Sequence, residues 1–245
     1  MKIAVMQPYF FPYIGYFQLV KSVDTFVFFN DVNFIKKGWI NKNNLLQHNK
    51  PQSFTIPLQK VSQNKLINEV ELSGYPEWRK DFLKTVEFNY KKAPHFDAAF
   101  SLVKETLSKK EFTKIDELAA ESVKGVSEYL ELKTNFAYSS DLAYKGENGQ
   151  DKIISICALL NASSYTNPKN GAHMYDETAF KSHGIDLFFL GAETITYPQH
   201  VKNEFVPWLS IIDVLMFNSK EEVVKLLDKR KICTIAELAL DSHRD

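Results

Sequence analysis

The short apolar run Lys2 to Met6 breaks off at Gln7-Pro8, and nothing else in the chain limits the fold so much. A run of this length that ends at once in a proline-containing loop fits a buried strand and is too short for a helix. Beyond the loop, Ile14, Phe17, Leu19, Val20 and Val23 recur near helical spacing and predict a helix over 14–23. Thr25 to Phe29, Thr-Phe-Val-Phe-Phe, then predicts a second buried strand. Strand, helix and strand in direct succession make a parallel pair, because parallel neighbours need a crossover.

A second unit of the same kind follows late in the chain. Ser164 to Thr166 predicts a short strand, Asn167 to Gly171 a loop, Tyr175 to His183 a helix closed by Gly184, and Ile185 to Leu190 a strand. The two units are expected to share one sheet. Between them Val32 to Asn44 reads as a polar loop and extended segment, and Phe54 to Leu58 as a strand. Helix formers dominate 77–130 and predict three helices, divided near Lys92-Ala93-Pro94 and near Lys109-Lys110. Further helices are expected over 151–160, 209–217 and 220–227. The fold expected is α/β, a Rossmann-like, mostly parallel sheet with a helical middle segment and C-terminal helices. At 245 residues, without repeats or linkers, we read it as a single domain over 1–245 with a helical subregion at about 76–131.

Charge narrows the partners. Lys plus Arg and Asp plus Glu are equal at 30 each, so no overall field draws the chain to nucleic acid or to an anionic membrane, although a local basic pocket stays open. No stretch reaches the roughly 20 apolar residues of a membrane span, and Gln7, Pro8 and Pro12 interrupt what would otherwise resemble a leader. Cys157 and Cys233 are too few and too far apart for a disulfide framework or a zinc site. Reduced thiols in a cytoplasmic protein are the expectation, with Cys157 a packing residue inside a helical apolar pattern.

Three segments carry side chains suited to chemistry. Gln7 to Phe17 joins the end of the first strand to a helix, where the exposed amides and dipole of an open α/β sheet favour a phosphate or carboxylate; a rigid aromatic cap on the sheet is an equal reading. After the second strand come Asn30 and Asp31, then Lys37, Trp39, Asn41 and Lys42. They supply an acid or base, cations for phosphate, a stacking platform and an amide, or else a solvated loop. The third, Tyr165 to Tyr175, contains His173, the side chain best suited to general-base work, although a lone histidine is more often a structural hydrogen-bonding group. The other histidines show no HExxH spacing, so no metal site is expected, and the motifs GxGxxG, GxxxxGK[ST] and GxSxG are absent.

Taken together, these motifs resemble the WbqC-like family over nearly the whole chain. The most specific part is the opening, KIAVMQPYFFPYIGYFQLVKSVDTFVFFNDVNFIKKGWINKN. Tyr165 to Tyr175, Phe180 with Gly184 to Leu187, Tyr197-Pro198-Gln199 and Phe205 to Asp213 follow in order. Two positions depart from the family pattern: Asn170-Gly171 stands where a second glycine is usual, and Lys42 where arginine is frequent.

The resemblance implies a bacterial enzyme of surface-polysaccharide (O-antigen-type) or amino-sugar biosynthesis. Its partner would be a nucleotide-linked amino sugar, whose amine receives an acyl or aminoacyl group from a carrier- or coenzyme-linked donor, an acyl carrier protein among them. In that scheme Asp31 and His173 are the catalytic candidates. Gln7, Tyr9, Tyr16, Lys37, Trp39, Asn41, Lys42, Asn167, Tyr175 and Gln199 form the substrate-binding set, with Gln7 and Asn167 as hydrogen-bonding groups and Lys37 and Lys42 on phosphate. The opening is also distantly similar to the nucleotidyltransferases, but Tyr13-Ile14-Gly15-Tyr16 lies where their HxGH histidines would be. A non-catalytic ligand-binding or scaffold role in the same pathway is the third reading.

Overall fold

The computed structural model describes residues 1–62, 64–191, 195–199 and 204–241. In chain order the elements are β1 (Lys2–Met6), α1 (Ile14–Lys21), β2 (Thr25–Phe28), β3 (Lys42–Gln47), β4 (Lys50–Thr55), α2 (Tyr75–Tyr90), α3 (Phe96–Ser108), α4 (Ile115–Tyr129) and β5 (Asn135–Tyr138). There follow α5 (Gly149–Leu159), β6 (Ser164–Pro168), α6 (Glu177–Ser182), β7 (Asp186–Gly191), α7 (Ile211–Phe217), α8 (Lys220–Asp228), β8 (Lys231–Cys233) and α9 (Ile235–Asp241).

Six strands form one sheet in the order β5-β2-β1-β6-β7-β8, parallel except for the last pair, β7 with β8. The two strand-helix-strand units do share it, and they meet where β1 lies beside β6. Counted within the sheet this is the Rossmann order, with the reversal of winding between β1 and β6. Alternate strand residues serve two cores, as a parallel sheet covered on both faces requires. Ile3, Val5 and Val27 pack with Ile153, Ile156 and Cys157 of α5, while Ala4, Phe26 and Phe28 pack with Leu19, Leu118, Leu215 and Val223 from α1, α4, α7 and α8. Cys157 is fully buried, and burial pushes its thiol up to about 12, so it is a packing residue.

The expected helices of the middle segment are α2, α3 and α4, with the breaks where the sequence puts them. The expected strand at 54–58 instead runs from Lys50 to Thr55 and pairs antiparallel with β3. His48 and Asn49 make a two-residue turn between them, both at positive φ (49° and 62°). Such turns suit a hairpin's twist, and the usual sequence sign for one, Asn-Gly or Asp-Gly, is missing here. β5, β8 and α9 were not expected. Both strands are short sheet edges, and so carry little apolar pattern of their own.

A buried carboxylate fastens the hairpin and the middle helices to α7. Asp213 accepts from the Tyr90 hydroxyl (2.9 Å), the Tyr197 hydroxyl (2.7 Å) and Gln199 Nε2 (3.0 Å). Tyr90 Oη in turn accepts from Leu46 N of β3 at 2.7 Å. Burial raises the Asp213 pKa from 3.8 to about 6, although all three donors favour the carboxylate. A raised carboxyl holds its proton more tightly in the folded chain than in the unfolded one. Its contribution is therefore complete below about 4 and is lost as pH rises to about 6, on the order of 3 kcal/mol in all. Chemical denaturation should show wild-type stability falling relative to Asp213→Asn across that window; a constant difference between the two proteins would contradict this account.

Candidate functional site

The loop after β1 is held in one shape by residues far away in sequence. Pro8 and Pro12 cannot donate to a ladder, so the strand ends there. Phe10 and Phe11 turn fully into the core, and Phe11 takes a left-handed backbone with φ of 38°. An aromatic residue keeps such a conformation only where its surroundings over-determine it. Phe11 N donates to Ser122 Oγ (2.8 Å), and Phe11 O accepts from Asn43 Nδ2 (2.6 Å) and Ser210 Oγ (2.7 Å). Phe10 N donates to Ile40 O (3.1 Å) and Ile211 N to Pro12 O (2.9 Å). The hairpin, α4 and the start of α7 thus converge on one loop.

That loop walls a cavity of about 350 Å³ beyond the C-terminal ends of β1 and β6, the edge where open α/β sheets bind ligands. Gln7, Tyr9, Tyr13, Gly15 and Tyr16 come from the loop and α1, Ile35, Gly38 and Trp39 from the segment before β3, Lys169 and Asn170 from the turn after β6, and Trp208 from the approach to α7. Tyr9 meets Tyr16 edge-on at 6.2 Å and Trp39 at 6.3 Å, while Tyr13 meets Trp208 at 5.6 Å. The Tyr16 hydroxyl donates to Gln7 O at 2.9 Å. Burial raises the pKa of Tyr9, Tyr13 and Tyr16, so these phenols stay neutral and can donate but cannot act as bases near neutral pH. The tyrosines apart, Lys169 is the one ionisable side chain in the lining among the described residues. A β-carbon on Gly15 would lie 2.4 Å from Tyr13 Cε2, so glycine there lets the Tyr13 ring close over the first turn of α1.

The residues singled out in the sequence divide into two groups. Gln7, Tyr9, Tyr16 and Trp39 line the cavity; Lys42 is outside the lining, its Nζ 4.8 Å over the Trp39 ring while donating to Lys37 O. Asp31, Lys37, Asn41, Asn167, His173, Tyr175 and Gln199 are outside the lining, so the expected meeting of Asp31, Lys37 and Asn167 around one hollow does not occur. Asp31 accepts from Ser139 Oγ and lies against the Tyr144 phenol, on the β5 side of the sheet. Its neighbour Asn30 is buried and donates to Asp116 Oδ2 at 2.9 Å. Asn41 is buried and donates to Ile56 O. Asn167 accepts from the Tyr165 hydroxyl, which also bonds Tyr175. Gln199 belongs to the Asp213 network. Lys37 is exposed, as is His173, on the turn Lys169–Met174. Asn170 does not adopt left-handed geometry, and Gly171 makes room for Asn167, whose Nδ2 would lie 2.4 Å from a β-carbon there.

The sequence reading had not singled out Tyr13, Lys169, Asn170 or Trp208 as site residues. Lys169 and Asn170 could have been found by extending the strand-end argument two residues past β6. Trp208 gives no local signal, because its exposure depends on how the segment before α7 is tied down.

Comparison with known families puts a family to this arrangement: the model of the WbqC-like protein family matches residues 7–225. The chain belongs to the WbqC-like protein family. It is also similar to a protein of Mycobacterium tuberculosis (strain ATCC 25618 / H37Rv) named "Uncharacterized protein Rv1507c". The two are 26% identical over 219 residues, which is 89% of this chain and 93% of the relative. No solved structure matches this WbqC-like chain. Among the described residues no helix is long and apolar enough to cross a membrane, and no group of three or more His, Cys, Asp and Glu converges to hold a metal ion.

Removing the amide that holds the Phe11 carbonyl tests whether the loop is set from a distance. Asn43→Ala should lower unfolding stability by about 1–3 kcal/mol, the usual cost of unpairing a buried polar group. Unchanged stability in urea would mean that the loop holds its shape without the hairpin.

Proposed function

We infer that this WbqC-like protein is a group transferase of bacterial surface-polysaccharide or amino-sugar biosynthesis, passing an acyl or aminoacyl group to the amine of a nucleotide-linked amino sugar. The observation that carries the reading is the aromatic cavity at the reversal of strand order, with Lys169 as the one cation among its described residues. Such a position suits a nucleotide, aromatic faces suit a base or sugar ring, and a lone lysine suits a phosphate. The choice of pathway is what the resemblance to the WbqC-like family implies.

Chemically, the sugar amine attacks the donor's carbonyl carbon, a C–N bond forms, and the bond to the donor's thiol breaks. Neutral phenols at Tyr9 and Tyr13 and the Gln7 amide supply donors for the oxyanion. We assign uptake of the amine's proton to His173, which is outside the lining but exposed, on the turn whose Lys169 and Asn170 line the cavity. Asp31 is not carried into this scheme, because its carboxylate is engaged by Ser139 away from the cavity.

Incubating the protein with nucleotide-linked amino sugars and coenzyme A or carrier-bound donors should yield sugar heavier by the acyl group. Trp39→Ala should reduce kcat/KM by roughly tenfold through lost stacking. Absence of product across a broad panel of donors and sugars would remove the proposal. A second reading, nucleotidyl transfer, draws on the strand order alone; it requires pyrophosphate release from a nucleoside triphosphate with magnesium, which acyl transfer does not.

A further inference from the structure

Trp208 combines two features that are each unfavourable. Its φ of 61° lies in the left-handed region, where a bulky side chain is strained, and its side chain is 63% exposed. Glycine would take this backbone without strain. The indole gains little from packing in return, since among the described residues its ring contact is the edge of Tyr13 at 5.6 Å. Its backbone is held from the C-terminal side. Leu209 is buried, Ser210 N donates to Asn44 O at 2.9 Å, and Ser210 Oγ donates to Phe11 O.

The same ring lines both the 350 Å³ cavity and a hollow of about 40 Å³ beside it, as do Tyr13 and Gly15. Trp39, 50% exposed, lines the cavity from another segment. The third tryptophan, Trp78, lies outside the lining and donates its indole N–H to Thr55 O. Strain that packing does not repay, at the rim of a cavity and on an aromatic ring, is the mark of a ligand contact.

We propose that Trp208 is the platform on which the cavity stacks the base of its nucleotide, and that its strained backbone is retained to present the ring. The proposal rests on the reading of the cavity as a nucleotide-sugar site and adds which residue takes which part of the ligand. The base lies on the indole face, and the phosphates lie toward Lys169. A bare sugar phosphate has no planar ring and gains nothing from Trp208.

The decisive variant is Trp208→Gly, because it removes the ring and the strain together. Calorimetric titration with UDP, dTDP, GDP and CDP, and with ribose 5-phosphate as the probe without a base, separates the possibilities. For the nucleotides that bind the wild type, Trp208→Gly should weaken binding by roughly tenfold or more, with Tm unchanged or raised by about 2–4 °C. Trp208→Phe should stay within roughly tenfold of wild type, and ribose 5-phosphate should bind all three proteins alike. In a Trp39→Phe background, nucleotide should still quench tryptophan emission. Nucleotide binding by Trp208→Gly at wild-type strength overturns the stacking role alone. A Tm lowered by several degrees, with binding lost in Trp208→Phe as well, makes the ring a structural element and overturns it too. If none of the nucleotides binds the wild type, the assignment of the cavity fails first and this proposal with it.

Discussion

The backbone of one residue, Phe11, ties the cavity end of this molecule together. Its N–H is taken by Ser122 of α4, and its carbonyl is shared by Asn43 of β3 and Ser210 at the start of α7. A buried backbone group must be paired, and the loop cannot pair with itself because prolines bracket it and φ of Phe11 is left-handed. The donors and the acceptor therefore come from three segments far apart in sequence. Whatever the cavity binds, its floor is set by how those segments pack.

This arrangement explains why so long an excursion is inserted between β2 and β5. The hairpin and three helices add no strand to the main sheet; they hold the loop after β1 from one side, while α7 holds it from the other. Asp213 joins the same bodies a second time, through Tyr90 to β3 and through Tyr197 and Gln199 to the segment before α7. Burying a carboxylate is unfavourable unless its oxygens are well bonded, and three donors reduce that cost without cancelling it. Neutral phenols on the cavity wall follow from similar burial, so the site is rich in donors and poor in bases.

The sheet and its helices were legible because their signals are local. Apolar runs at β1, β2 and β7 and helical spacing in α2, α3 and α4 depend only on neighbours within a few residues. The hairpin was half visible, since Lys42-Asn43-Asn44 is as polar as a loop even though Asn43 is wholly buried. Its place inside is bought by the Phe11 carbonyl, a partner 32 positions away. Asp31 shows the opposite error: it follows the correct strand end, but its carboxylate turns toward Ser139, just past the end of β5, an edge strand the sequence did not announce.

From the sequence alone came the class of fold, the two strand-helix-strand units, and the loop after β1 as the link from strand end to helix that walls the cavity, because strand and helix periods are written in consecutive residues. Which side chains face the cavity was decided only by the tertiary structure. Gln7, Tyr9 and Trp39 turn inward, while Asn167 and Gln199 are consumed by internal bonds. A side chain's direction at a strand end depends on partners from distant segments, and hydrogen bonding there is satisfied by whichever group packing brings within reach.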